Sequence, residues 1–134
     1  MVSKLDDALQ FHHNALNVRA YRQQLLASNI ANADTPHFKA RDINFKAALA
    51  SAIGGPAASV ALTRTAAGHL PPSAAAVHGA ALQYRTEIQS SVDGNTVNLD
   101  VERAQFADNA VQYEASLTFI NGVLRSMQTA LQGQ

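Results

Sequence analysis

Histidines are the side chains best suited to metal or acid-base chemistry in this 134-residue sequence. They stand at His12, His13, His37, His69 and His78. An i, i+4 pair on a helix can share a metal; adjacent His12 and His13 point about 100° apart and cannot. The spacing therefore predicts solvated or interfacial imidazoles. The carboxylates are scattered singly apart from Asp6 and Asp7 near the start. No glycine-rich phosphate loop and no nucleophile elbow is present. Without cysteine there is no thiolate nucleophile, disulfide or Cys-ligated metal. The residues predict no catalytic site, no cofactor, no metal and no small-molecule substrate, and a hydrolase built on His12 or His13 lacks an oriented base and a nucleophile.

The elements that could position any function are helical. From Leu5 to Ala33 there is neither Pro nor Gly. Apolar residues there form two neighbouring stripes at helical spacing. Leu5, Leu9, Leu16, Leu26 and Ile30 make the first; Ala8, Phe11, Ala15, Val18 and Leu25 make the second. One long helix over 5–33 is expected, stopped by Asp34-Thr35-Pro36. Its first stripe is interrupted by His12, Arg19 and Gln23. Two stripes suit contact with more than one surface, and a helix on one ordinary core is the equal alternative.

The clearest pattern lies at the other end. Phe106, Ala110, Tyr113, Leu117, Ile120, Leu124, Met127 and Leu131 follow at steps of 4, 3, 4, 3, 4, 3 and 4. This is an unbroken heptad seam. A helix over 101–132 is expected, about 48 Å long. Asp100 is the expected N-cap, Glu102 complements the helix dipole and Gly133 lies beyond the last seam position. Gly122 inside the helix predicts a bend or the close approach of another backbone. Burying the seam alone does not offset the entropy of ordering so long a segment, so the seam needs a partner. The N-terminal helix is the nearest candidate, in an antiparallel coiled-coil-like pair, and helices of other copies would complete it.

Residues 34–100 read as an extended or loop segment. From Ala47 to Ala81, 14 of 35 residues are Ala and the only Lys, Arg, Asp or Glu is Arg64, with Gly54-Gly55-Pro56 and Leu70-Pro71-Pro72 as breaks. That composition predicts a linker, with a short helix around Phe45 to Ala52. Alternation from Tyr84 to Leu99 around Asp93-Gly94-Asn95 predicts a short β-hairpin over 84–99 or, equally, an extended loop pressed on a neighbour. The fold class is mainly α, in a single unit spanning 1–134.

Ten Lys and Arg balance ten Asp and Glu, and charged residues are 15% of the chain. There is no basic surplus for nucleic acid. The start, Met1 to Gln10, lacks the basic and apolar regions of a secretory signal peptide, so the general secretion route is not expected. No run approaches 18 apolar residues.

Leu26-Ala27-Ser28-Asn29-Ile30-Ala31-Asn32-Ala33-Asp34-Thr35-Pro36, continued by Phe38-Lys39-Ala40-Arg41-Asp42-Ile43-Asn44-Phe45, resembles the N-terminal signature of bacterial flagellar axial proteins of the rod and hook class. Its Lys-Ala-Arg-Asp form resembles the proximal-rod members. Asp93 to Arg103, followed by Phe106-Ala107-Asp108-Asn109-Ala110 and Tyr113, resembles the matching C-terminal signature. The signature positions are Asn29, Asn32, Thr35, Pro36, Phe38, Lys39, Arg41, Asp42 and Phe45. His37 departs from the pattern, which usually has Gly before the aromatic, and Gly there permits positive φ.

The resemblance implies a structural subunit that assembles helically through its terminal helices into the rod of the flagellar basal body, around a central channel, and transmits torque. The implied interface carries Leu16, Leu26 and Ile30 from the first helix and the eight seam residues from the last. The implied partners are other copies, other rod proteins, the MS-ring adaptor and the export gate. Export would run through the flagellar type III apparatus without a cleaved signal peptide, into the periplasmic space. A soluble helical-hairpin adaptor or secretion chaperone is the competing expectation; it would be a defined dimer, whereas a rod subunit has poorly ordered termini until assembly.

Overall fold

A computed structural model describes residues 2–54, 81–86 and 91–133. Helix α1 runs Val2–Ala31, strand β1 Arg41–Ile43, helix α2 Phe45–Ile53, strand β2 Leu82–Tyr84 and helix α3 Leu99–Gln132. The two long helices pack on each other antiparallel, as expected. Asn29 near the end of α1 meets Glu102 near the start of α3, while Arg19, ten residues earlier, reaches Gln112.

Both stripes of α1 are used. Val18 and Leu25 join Ile43 and Ala48 in the core, flanked by Tyr21, Phe45 and Leu82, so this stripe holds α2 and the sheet. Leu26 of the other stripe is fully buried. The side chains of Leu5 and Ala8 lie outside the described residues, as do His69, His78 and most of the Ala-rich segment.

The caps follow local chemistry. Helix α2 is capped by Asn44, whose side chain accepts from the Ala47 N–H. Helix α3 is capped by Asn98 and not by Asp100: the Asn98 carbonyl side chain accepts from the Val101 N–H at 3.2 Å. That moves the start two residues toward the N-terminus and leaves Asp100 and Glu102 in the first turn, where they favour the dipole. Gly133 closes α3 in the left-handed conformation, φ 73°. The helix is continuous through Gly122, and among the described residues nothing lies within 4 Å of where its Cβ would be.

The small sheet pairs β1 with β2 antiparallel, Arg41 opposite Tyr84 and Ile43 opposite Leu82. Tyr84 is thus paired across the chain with Arg41 and not with 95–99, which form no strand. Residues 87–90 of the expected hairpin lie outside the described residues. Residues 93–97 are instead an extended loop pressed on the end of α1. Asn95 Nδ2 lies within 3.1, 2.7 and 3.0 Å of the carbonyls of Asn32, Ala33 and Thr35, satisfying groups that the helix end leaves open. Thr96 N–H donates to the Phe38 carbonyl and the Ala40 N–H to Thr96 Oγ1.

The turn entering this clamp carries His37 at φ 62°, the one positive-φ non-glycine among the described residues. The left-handed geometry that Gly would favour is kept by His37, whose N–H donates to the Asp93 carbonyl at 3.0 Å. His37 and Gly94 are adjacent: a Cβ on Gly94 would stand 3.0 Å from the imidazole Nδ1.

Because the left-handed conformation costs an L-residue about 1–2 kcal/mol and a β-branched one more, His37→Gly is expected to leave stability within about 1 kcal/mol, and His37→Val to lower it by more than that. Urea unfolding followed by circular dichroism checks both.

Candidate assembly interface

The signature segments meet in one place, and what joins them is charge. Asp42, at the centre of β1, takes a two-point grip from Arg22 of α1, Nε to Oδ1 and Nη2 to Oδ2, both at 2.9 Å. Arg85, just after β2, donates from Nη2 to Asp42 Oδ2 at 2.7 Å and from Nη1 to Glu102 Oε1 at 2.6 Å. Gln105 Oε1 accepts from both arginines. Asn29 closes the cluster: its Nδ2 donates to the Arg41 carbonyl and to Glu102 Oε2, and its Oδ1 accepts from the Arg41 N–H. Glu102 and Asn29 are completely enclosed.

Two guanidiniums and two carboxylates make this cluster neutral when all are ionised. Burial would raise the Asp42 carboxyl, but hydrogen bonds from Arg22, the Ile43 N–H and Arg85, with the Arg22 charge, outweigh it and hold Asp42 below the usual carboxylate range. The Asp42 hydrogen bond holds Arg22 firmly protonated against burial. Burial pushes the Arg19 guanidinium down, opposed by Asp108.

A second polar join lies two turns along. Asn109 of α3 is buried and donates to the Arg19 carbonyl and to Gln23 Oε1. Arg19 also donates to Gln112 and lies over the Phe45 ring, 4.3 Å from its centroid. Asn109 Oδ1 and Arg19 Nε are buried with no hydrogen-bond partner among the described residues. Arg19 and Gln23, which interrupt an apolar stripe in the sequence, are therefore the partners of α3.

The consequence for the seam is direct. Among the described residues, the buried side chains of α3 are Glu102 and Asn109, both polar. The heptad seam is turned to the flank of the pair. Phe106, Ala110, Tyr113, Ile120 and Met127 are half-buried, and Leu117, Leu124 and Leu131 are 37%, 43% and 87% exposed. Leu26 is enclosed, while Leu16 and Ile30 are half-buried. Phe106, Ala110, Tyr113 and Glu114 face Ala20, Gln23, Gln24 and Ala27 across an open groove of about 470 Å³. On the other flank Phe119 is 66% exposed.

Of the other signature residues, Asn32 donates to the Ser28 carbonyl and accepts from Thr35 Oγ1. Lys39 Nζ donates to the Gly94 carbonyl. Phe38 is half-buried, Pro36 is exposed and Phe45 packs on the core. The sequence singles out none of Arg22, Arg85 and Gln105, and it places Asn95, Glu102 and Asn109 within the C-terminal signature, with Glu102 at the helix dipole, but not as partners of α1. Glu102 and Asn109 sit seven apart beside the seam, and that polar repeat was the available signal.

Comparison with known proteins bears on what such a pair of helices serves. A family model described as flagella basal body rod protein matches residues 9–39. The flagellar basal body rod protein FlgB of Escherichia coli K12 is 51% identical over 135 residues, covering 98% of each chain. This chain belongs to the FlgB family of flagellar basal-body rod proteins. The FlgB proteins of Salmonella typhimurium and Cereibacter sphaeroides are 46% and 44% identical, over 99% and 96% of each chain. In this rod protein the two signature segments are the two halves of one clamp. No helix among the described residues is long and apolar enough to cross a membrane, and no group of three or more His, Asp or Glu among them is placed to hold a metal.

Two outcomes test the cluster. Because Asp42 is held below its unfolded pKa, its contribution is complete above about pH 5 and lost as pH falls through the folded value. Asp42→Asn is therefore expected to flatten the acid limb of the stability curve measured by urea unfolding from pH 3 to pH 7. Arg85→Ala leaves buried Glu102 without its cation, and a loss of about 3–5 kcal/mol is expected in the same assay.

Proposed function

We infer that this chain is a structural subunit of the proximal rod of the flagellar basal body, and acts as one unit over 1–134. The observation that carries this is the heptad seam of α3. Phe106, Ala110, Tyr113, Leu117, Ile120, Leu124, Met127 and Leu131 keep coiled-coil spacing over eight positions, yet the α1–α3 pair buries the polar Glu102 and Asn109 in their place. A seam so regular and so incompletely covered fits an element whose partners come from other subunits. Leu16, Leu26 and Ile30 complete the surface from α1. The terminal helices pack against those of neighbouring copies and other rod proteins, forming the wall of a channel and a shaft that transmits torque. At the base of the rod the neighbours are the MS-ring adaptor and the export gate. The chain reaches the periplasmic space through the flagellar type III apparatus without cleavage of a signal peptide. It performs no catalysis.

Placing a carboxylate at the seam centre costs several kcal/mol if it is buried unpaired in the assembly, whereas an exported chain need not be folded. Leu117→Asp and Ile120→Asp are expected to abolish swimming while the secreted fraction stays normal. Both are read in one strain, by soft-agar motility and by immunoblotting of the culture supernatant. Normal swimming in both variants would remove the seam from the interface.

A further inference from the structure

The distal part of α3 is an awkward surface for a lone subunit. From Ala115 to Gln132 its one charged residue is Arg125, and it shows apolar side chains on two flanks: Leu117 and Leu124 on one, Phe119 on the other. A helix apolar on several sides is buried among several neighbours, and α1 covers one side only. Gly122 lies on the same segment with open space over it. The groove at the other end of α3 has the opposite character. Its walls are small at Ala20, Ala27 and Ala110, which lets another backbone come close, and its one charged lining residue is Glu114. Neither Glu114 nor Arg125 has a side-chain hydrogen bond or ion pair among the described residues.

Resting on the rod reading above, we propose that the groove receives the distal half of α3 from a second copy, with Phe119 seated between Ala20, Ala27 and Ala110 and Arg125 reaching Glu114. Phe119 lies nine residues beyond Ala110, two and a half helical turns, so it projects from the opposite side of the same helix. Knob and groove are therefore different patches. Their union is head-to-tail: each copy offers one of each, and the contact continues without closing on itself. With the helices parallel, the nine-residue offset sets neighbouring copies about 14 Å apart along the axis. Charge selects the occupant, because the sole cation of the entering segment meets the sole anion of the groove.

The test is a charge exchange in the full chain, expressed in cells that lack the native copy. Glu114→Arg and Arg125→Glu are each expected to cut the number of rods per cell about tenfold, and the two together to restore it. In parallel, the absence of native cysteine allows Ala110→Cys and Phe119→Cys copies to be co-expressed and oxidised in purified basal bodies. A mixed disulfide between the two is expected. Harmless single exchanges, failure of the pair to restore rods, or normal incorporation with no mixed disulfide would each overturn this contact and leave the rod reading standing. Absence of the wild-type chain from basal bodies would overturn both.

Discussion

Four charges that cannot be left unpaired hold this molecule in shape. Glu102 is enclosed at the start of α3, and its carboxylate requires Arg85 and Asn29 beside it. Arg85 then requires Asp42, and Asp42 requires Arg22. Satisfying that chain of demands draws together α1, the strand after it, the strand before residue 85 and α3. Burying such groups separately would cost several kcal/mol each, so the cluster forms as a whole or not at all. It supplies little net stability over an apolar packing of the same volume, but it admits one arrangement, and it fixes the antiparallel register in which Arg19 finds Asn109 and Gln112.

That register decides which face of α3 is spent inside the subunit. A helix pair driven by its best apolar stripe would have turned the seam inward. Here Glu102 and Asn109, seven residues apart, occupy the α1-facing line, and the seam sits around the helix from them. The polar line specifies the pairing and the apolar line stays largely uncovered within the subunit. The clamp of Asn95 on the end of α1 makes the same division at the other end: backbone groups are satisfied by one side chain within the subunit, without apolar area being used.

Much of this was legible in the sequence. The long helices follow from apolar stripes at helical spacing, in a segment free of Pro and Gly for α1 and uninterrupted at Gly122 for α3, and α2 follows from a short apolar run after Asn44. The cap at Asn98 was obscured by Asp100, which has equal capping chemistry two residues later. The partner of β2 was not legible, because pairing Tyr84 with Arg41 depends on Arg85 reaching across to Asp42, a long-range electrostatic demand that local alternation does not carry. Likewise Arg19 and Gln23 read as flaws in an apolar stripe when taken alone. They become partners only when Asn109 is set opposite them, and that requires knowing the register. His37 was visible as a departure from the pattern, but its retention of the left-handed turn follows from the hydrogen bond to Asp93 and from the room that Gly94 leaves for its ring.

A subunit organised in this way leaves apolar surface over for other contacts. Among the described residues the apolar core is small, centred on Val18, Leu25, Ile43 and Ala48, and the side chains that α3 buries, Glu102 and Asn109, are polar. Beyond Gln112, α3 leaves much of its apolar surface uncovered. On the rod reading proposed above, a neighbour that covered part of the seam would bind the folded form and not the unfolded one, and so would add to folding stability by mass action. The charge cluster and clamp would then select the fold within one chain, and the uncovered sides of distal α3 would be left for contacts between copies. On that reading stability and polymerisation share one equilibrium, and the polar line between the helices, Glu102 and Asn109, is what leaves the apolar seam available for it.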